Sequence, residues 1–251
     1  MAEKLIVIGG TAAGLSAASK AKRVKPELEI QVFEKSGYIS YGACGLPYFV
    51  GGMIAEPDDL VAVDAETMRN KRGIPTWIHH EVTSINRGEK TVEVKNLDTG
   101  EERVHPYDKL VIATGAVPAV PPIPGIHSEG VYYLRTVEDG IRLKATVQRE
   151  AKSAVIIGGG FIGLELAEEL TLSGVSVTIF EQLPRLLPFL DPVFSQSVLE
   201  NLERHGVKVH TGTGVAEILT QDGRARWVRT PQGETLETDF VLVSAGVKPA
   251  S

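Results

Sequence analysis

The chain has 251 residues, 43% hydrophobic and 23% charged, with a formal net charge of −6. That length accommodates two domains, each with its own core, and the balance excludes disordered and fibrous classes. Mild acidity without a Lys/Arg run argues against nucleic acid or an anionic membrane surface as the main partner, and a single cysteine excludes an internal disulfide and any multi-cysteine metal site.

From the N-terminus, KLIVIGGTAAGLSAASKAKRV (4–24) reads as a short apolar strand, a glycine turn and an amphipathic helix, followed by the strand IQVFEK (30–35). Strand, glycine turn, helix, strand is a βαβ unit, whose crossover helix forces a parallel sheet. The apolar run is not read as a signal peptide: it lacks a basic leader, Glu3 precedes it, and its glycines fall where strand becomes helix. No apolar stretch approaches the length of a bilayer span, so a cytoplasmic protein without a membrane partner is expected. The turn GGTAAG has Gly9 and Gly14 but places Thr11 at the middle position of G-x-G-x-x-G, where a side chain hinders a diphosphate. Glu34 ends the second strand, where an acid holds a ribose hydroxyl.

Cys44 follows in YISYGACGLPYFVGG (38–52), three residues before Pro47. A lone cysteine is most often a small buried apolar residue. A nucleophilic thiolate needs more than a helix N-terminus, which contributes only about 0.3–1 kcal/mol; a second stabiliser is required.

The segment 75–96 reads as strands and hairpins. His79 and His80, adjacent on a predicted strand, point to opposite faces and make a poor metal pair; no metal is expected. Trp77 is read as a packing residue. DKLVIATG (108–115) closes the first unit. The four prolines of ATGAVPAVPPIPG (113–125) cannot sit inside a helix or central strand, so the domains are expected at 1–115 and 116–251, with 116–125 as linker.

SAVIIGGGFIGLELAEELTLSG (153–174), leading to VSVTIFEQ (175–182), repeats the first unit's order. Gly158, Gly160 and Gly163 fill G-x-G-x-x-G: the first permits the tight turn, the second lets a diphosphate approach, the third packs helix on strand. Glu181 ends the next strand at ribose-binding spacing, and its carboxylate would repel a 2′-phosphate. No Arg follows it immediately, although Arg185 is near, so NADH is favoured over NADPH. ELAEEL is read as a solvated helix face. Strands and hairpins fill 208–240, with Asp222-Gly223 and Gln232-Gly233 as turns and Trp227 in packing; DFVLVSAG (239–246) closes the second unit. The copies lie too far apart for a solenoid. The fold class is α/β, two tandem Rossmann-like, three-layer, parallel-sheet dinucleotide-binding domains.

GGTAAG with FEK, then ISYGACGLPY, ATG and GGGFIGLE, in that order and spacing, resembles the single-cysteine branch of the pyridine nucleotide-disulfide oxidoreductases over essentially the whole chain. That branch contains coenzyme A-disulfide reductases, NADH oxidases, NADH peroxidases and persulfide reductases. The resemblance implies FAD on Gly9, Thr11, Ala12, Ala13, Gly14, Glu34 and Lys35, with Val82, Ala113, Thr114 and Gly115 close to it. It tolerates a first turn without the middle glycine. It implies NAD(P)H on Gly158, Gly160, Phe161, Ile162, Gly163, Glu181 and Gly246, with Glu165 toward the nicotinamide end. Phe161 stands where relatives often carry a tyrosine that swings over the flavin.

Cys44 becomes the nucleophile of an S-x-x-x-C-x-x-P element that begins at Ser40, and coenzyme A is placed on Ser16, Lys20, Arg23, Ser40 and Arg72. Three of these are basic and suit phosphates; solvated surface cations account for Lys20 and Arg72 equally well. Ala43 replaces an asparagine of some relatives. CGLPY resembles coenzyme A-disulfide and persulfide reductases more than oxidases and peroxidases. Electrons are therefore expected to pass from NAD(P)H through FAD to Cys44 and on to a small disulfide or persulfide, above all coenzyme A disulfide. The alternatives are an NADH oxidase or peroxidase cycling through a Cys44 sulfenic acid, and a non-catalytic nucleotide-binding fragment. Relatives continue past this length with a second FAD motif ending in Gly-Asp and an interface domain that makes a homodimer. The chain is therefore read as C-terminally truncated.

Overall fold

Two runs, KLIVI and SAVII, are apolar at nearly every position, as suits strands covered on both faces. In the computed structural model, which describes residues 2–149 and 151–250, each lies inside a parallel sheet. The chain runs β1 (Lys4–Ile8), α1 (Ala12–Val24), β2 (Glu29–Phe33), α2 (Leu46–Gly51), α3 (Ala65–Asn70), β3 (Thr76–Trp77), β4 (His80–Asn86), β5 (Thr91–Asn96), β6 (Glu102–Pro106) and β7 (Lys109–Ile112). It continues with β8 (Ala116–Pro118), β9 (Val131–Tyr132), α4 (Val137–Gln148), β10 (Ser153–Ile157), α5 (Phe161–Leu172), β11 (Ser176–Phe180) and α6 (Pro192–Arg204). The last strands are β12 (Lys208–His210), β13 (Glu217–Gln221), β14 (Arg224–Arg229), β15 (Thr235–Glu237), β16 (Phe240–Val243) and β17 (Val247–Pro249).

The elements form two units: Met1–Gly42 with Asp58–Gly115 and Pro249–Ser251, and Ala43–Pro57 with Ala116–Lys248. In the first, the parallel sheet has the order β3-β2-β1-β7, with Lys4 opposite Glu29 and Leu5 opposite Lys109. This is the 3-2-1-4 order of a Rossmann-type domain. Alternation along β1 sends Leu5 and Val7 to the α1 side with Leu15 and Ala18. Ile6 and Ile8 join Phe33, Val92 and Val94 beneath the antiparallel sheet β4-β5-β6. The layers are helix, parallel sheet and antiparallel sheet.

The second unit repeats the plan as β12-β11-β10-β16, extended by β9. Val155, Ile157, Val241 and Val243 pack with Ile218, Ala225 and Val228 of the antiparallel β13-β14-β15, and α5 buries Leu166, Ala167 and Leu170. Asp222 and Gly223, with φ of 51° and 81°, make the expected hairpin turn. Gly233, φ 90°, serves between β14 and β15.

Several expectations change. Residues 43–57 group with the second unit, because α2 packs on α4 and α5, and Pro249 returns to the first; the units are not two unbroken stretches of chain. His79 is not on a strand: its φ is 55° and β4 begins at His80. Glu169 of ELAEEL is 4% exposed, so that stretch is not simply a solvated face. Trp77 is 38% exposed, with the Arg69 guanidinium 5.0 Å from its ring centre. Among the described residues no helix is long and apolar enough to cross a membrane.

Candidate functional site

Ligands of such sheets sit beyond the carboxyl ends of the strands, where strand order reverses. In the first unit that place is the turn after β1. Gly9 has φ 104°, and a Cβ on it would overlap the Ala113 carbonyl; a Cβ on Gly14 would overlap the carbonyl of Gly9. Both glycines are therefore demanded by the fold. Glu34 anchors the turn: Oε2 accepts the Gly10 N–H at 2.7 Å and Oε1 the Ser36 N–H at 2.9 Å. Ala12 and Ala13 lie exposed in the first turn of α1. Gly9, Glu34, Lys35, Val82 and Thr114 come together around a cavity of about 520 Å³, which Phe33, His80, Ile112 and Ala250 also line. Thr114 donates its hydroxyl to the Ala250 carbonyl, and Gly115 turns with φ 70°.

The second unit is built alike. Gly158 has φ 107°, and a Cβ there would overlap the Ser244 carbonyl; one on Gly163 would overlap the carbonyl of Gly158. Glu181, 8% exposed, accepts the Gly159 N–H and the Leu183 N–H, both at 2.7 Å. Gly160 differs from its neighbours. Its φ is −83° and a Cβ would meet nothing within 4 Å, so the fold does not require glycine there. A glycine over open space at the head of a helix fits close approach of a diphosphate. Gly160, Phe161, Ile162 and Gly246 line a cavity of about 290 Å³ with Arg135 and Ser244, whereas Gly158, Gly163 and Glu181 form the turn behind it. Phe161 is 57% exposed, its ring 5.3 Å from that of Phe189. Glu165 is half-buried. Arg185 donates to the Pro188 carbonyl at 2.8 Å.

Helix ends sharpen the comparison. α3, α4 and α6 are capped by the side chains of Asp64, Thr136 and Asp191. α1 and α5, which follow the glycine turns, have no side-chain cap and no acid in the first turn, a state shared by the short α2. Their free N–H groups and positive ends are left for an anion.

Cys44 is exposed in the turn Ala43–Gly45, just before α2, with Pro47 buried in that helix's first turn. Ser40 belongs to the first unit and has a φ of 47°; its N–H donates to the Gly10 carbonyl at 3.0 Å and its carbonyl accepts the Ala62 N–H at 2.8 Å. Ser16, Lys20 and Arg23 share an exposed face of α1. Arg23 and Arg72 line a cavity of about 470 Å³ with Ser19, Lys22 and Ile74, which Ser16 and Lys20 do not reach. Gly10 and Gly159 escaped sequence reasoning. Their signal was the doubled glycine after each central strand, where a Cβ would press on Ile39 and Leu186 respectively.

The model of the pyridine nucleotide-disulphide oxidoreductase family matches residues 3–251. The chain belongs to that family. It is 35% identical over 248 residues to a protein of Enterococcus faecalis named NADH oxidase, covering 98% of this chain and 55% of that one. It is also 35% identical over 253 residues to an NAD(P)H coenzyme A polysulfide/persulfide reductase of Pyrococcus horikoshii, covering 99% and 55%. The crystal structure of reduced Bacillus anthracis CoADR-RHD superposes with a TM-score of 0.95 at 36% identity, over 100% of this chain and 45% of that one. The chain thus spans about half the length of these family members.

Proposed function

We propose that the chain carries the FAD and NAD(P)H sites of a flavoprotein oxidoreductase whose redox residue is Cys44, with FAD in the first unit and the nicotinamide nucleotide in the second. The observation that carries this is the pair of matching cradles, each with a carboxylate-braced glycine turn and an uncapped helix. Glu34 and Glu181 keep lone pairs free to accept ribose hydroxyls while holding their turns, and α1 and α5 supply N–H groups to the diphosphates. When bound, the flavin supplies two-electron transfer between nicotinamide and sulfur.

In this reading Cys44, which is exposed to solvent, attacks a disulfide as the thiolate. One new S–S bond forms, the old one breaks, and one thiolate leaves and takes up a proton. Two electrons then cleave the mixed disulfide, returning the Cys44 thiolate and releasing the second thiol with another proton. Coenzyme A disulfide or persulfide is the substrate class supported by Arg23 and Arg72, which share one cavity and suit phosphates, and by the named chemistry of the Pyrococcus relative. NADH is preferred over NADPH, since the Glu181 carboxylate would meet a 2′-phosphate and the Arg185 guanidinium is engaged by Pro188.

The visible spectrum of the purified chain, with FAD supplied and then NADH added without oxygen, tests this reading. A flavin spectrum that bleaches is expected. A protein that takes up no FAD overturns the reading for this length of chain. The Enterococcus relative favours one second reading, oxygen or peroxide reduction through a Cys44 sulfenic acid; NADH consumption with oxygen and no disulfide distinguishes it.

A further inference from the structure

The Cys44 segment, residues 43–57, holds to the second unit through α2, and six residues are too few for a helix to persist unsupported. α4 approaches it closely at Gly140, where a Cβ would lie 3.2 Å from Phe49 and 3.3 Å from Leu46. Ser173, just past α5, donates its hydroxyl to the Glu169 carbonyl at 2.8 Å with the Gly51 carbonyl 3.2 Å away, and Glu169 of α5 has a carboxyl that leaves no room for a side chain at Gly51. The remaining contact is chemically unusual. Lys144 of α4 is 9% exposed, and its Nζ donates to the carbonyls of Ile54 at 3.0 Å and Ala55 at 2.6 Å while lying 4.1 Å from the centre of the Phe49 ring.

A buried ammonium is costly unless its donors are met. An aliphatic side chain of similar reach would cover Phe49 equally well, so packing alone does not account for a lysine here. What the amine adds is hydrogen bonding to two carbonyls beyond Gly52, whose φ of 93° ends α2. These bonds close the segment at its far end, as buried Leu46 and Pro47 close it beside Cys44.

We propose that Lys144 is a positioning residue for Cys44: its amine pins the segment 43–57 to α4 and so fixes where the sulfur stands in the second unit. The consequence for catalysis rests on Cys44 being the redox residue; the pinning can be measured without it. Because Cys44 is the sole cysteine, a nitroxide attached to it reports on this segment alone. Lys144→Met keeps the stem and removes the donors, Lys144→Arg keeps donors, and Lys144→Gln keeps one on a shorter stem.

Lys144→Met should narrow the nitroxide spectrum and speed amide exchange in α2 and at Ile54 by roughly ten- to a hundredfold, leaving β10 and β16 unchanged. Lys144→Arg should restore both, and Lys144→Gln, with an intermediate effect, carries the same test if the methionine variant does not fold. An unchanged label with unchanged α2 exchange overturns the proposal. So does faster exchange spread evenly over the second unit, which would make Lys144 an ordinary stability residue. In turnover, Lys144→Met should lower kcat for disulfide reduction while NADH still bleaches the flavin. A wild-type chain that never bleaches counts against the proposed function, and the label and exchange data still decide the pinning.

Discussion

At the head of α1 stands Thr11; at the head of α5, in the corresponding place, stands Gly160. Around them the two turns agree closely. Gly9 and Gly158 both need a positive φ and crowd a neighbouring strand's carbonyl, Gly14 and Gly163 both crowd the turn itself, and Glu34 and Glu181 both brace it. The units match wherever the backbone sets the requirement and differ where only a bound molecule could. Demands of the fold and demands of the ligand can therefore be separated position by position.

The largest effect should come from breaking what the turns share. Gly9→Ala and Gly158→Ala each force a Cβ into a carbonyl at a left-handed φ, which should cost about 2–5 kcal/mol. Denaturant unfolding measures it, and a loss under about 1 kcal/mol would mean that the turns relax and that the agreement is not imposed by the backbone. The position where they differ gives a contrasting result. Gly160→Ala meets nothing, so stability should move by no more than about 0.5 kcal/mol. In the proposed function its Cβ would stand in the path of the diphosphate, so the Kd for NADH should rise roughly tenfold, about 1.4 kcal/mol. Unchanged affinity would show that Gly160 serves neither fold nor ligand. Thr11→Gly, the converse change, should cost only a few tenths of a kcal/mol because Thr11 makes no cap bond.

The bracing carboxylates come next. Glu181→Ala strands two N–H groups in a buried setting and should destabilise the second unit by about 1–3 kcal/mol. Glu34→Ala should cost the first unit less, since Glu34 is only half-buried and water can replace it. Thermal unfolding of both variants checks the order; equal losses would show that burial does not set it.

Much of this was legible in the chain itself, for a physical reason. Turn glycines, the acids that end β2 and β11, and hairpin turns such as Asp222-Gly223 are local, fixed by steric and hydrogen-bond rules that act over a few residues. What could not be read is long-range. Nothing in ISYGACGLPY shows that its helix packs on α4 and α5, so the segment's partition into the second unit was missed. Lys144 looks like an exposed helical lysine until Ile54 and Ala55 arrive beneath it. Glu169 sits in a run of acids that reads as solvated, yet it lies against Gly51 of α2 and is buried. His79 escaped the strand because its left-handed backbone is set by tertiary contacts, among them its N–H to the Ser36 carbonyl.

Glu169 also provides the smallest predicted effect, at a contact on α5 that α1 has no α2 to make. Burial first, and the like charge of Glu168 second, push its carboxyl above the ordinary value of 4.5. For a carboxyl raised on folding, the associated stability is fully present below the unfolded value and is lost as pH rises through the folded one. Near neutrality the ionised group therefore burdens the second unit. Glu169→Gln keeps the shape against Gly51 and cannot ionise. It should raise the Tm slightly at neutral pH, and the gain should disappear below about pH 4.5. A gain of the same size at both pH values would assign the effect to packing, and a loss at neutral pH would show that the ionised carboxylate finds a partner there. The first result would remove charge from the account of how this face holds the Cys44 helix, leaving that task to packing and, across the segment, to Lys144; the second would make the Glu169 charge part of it.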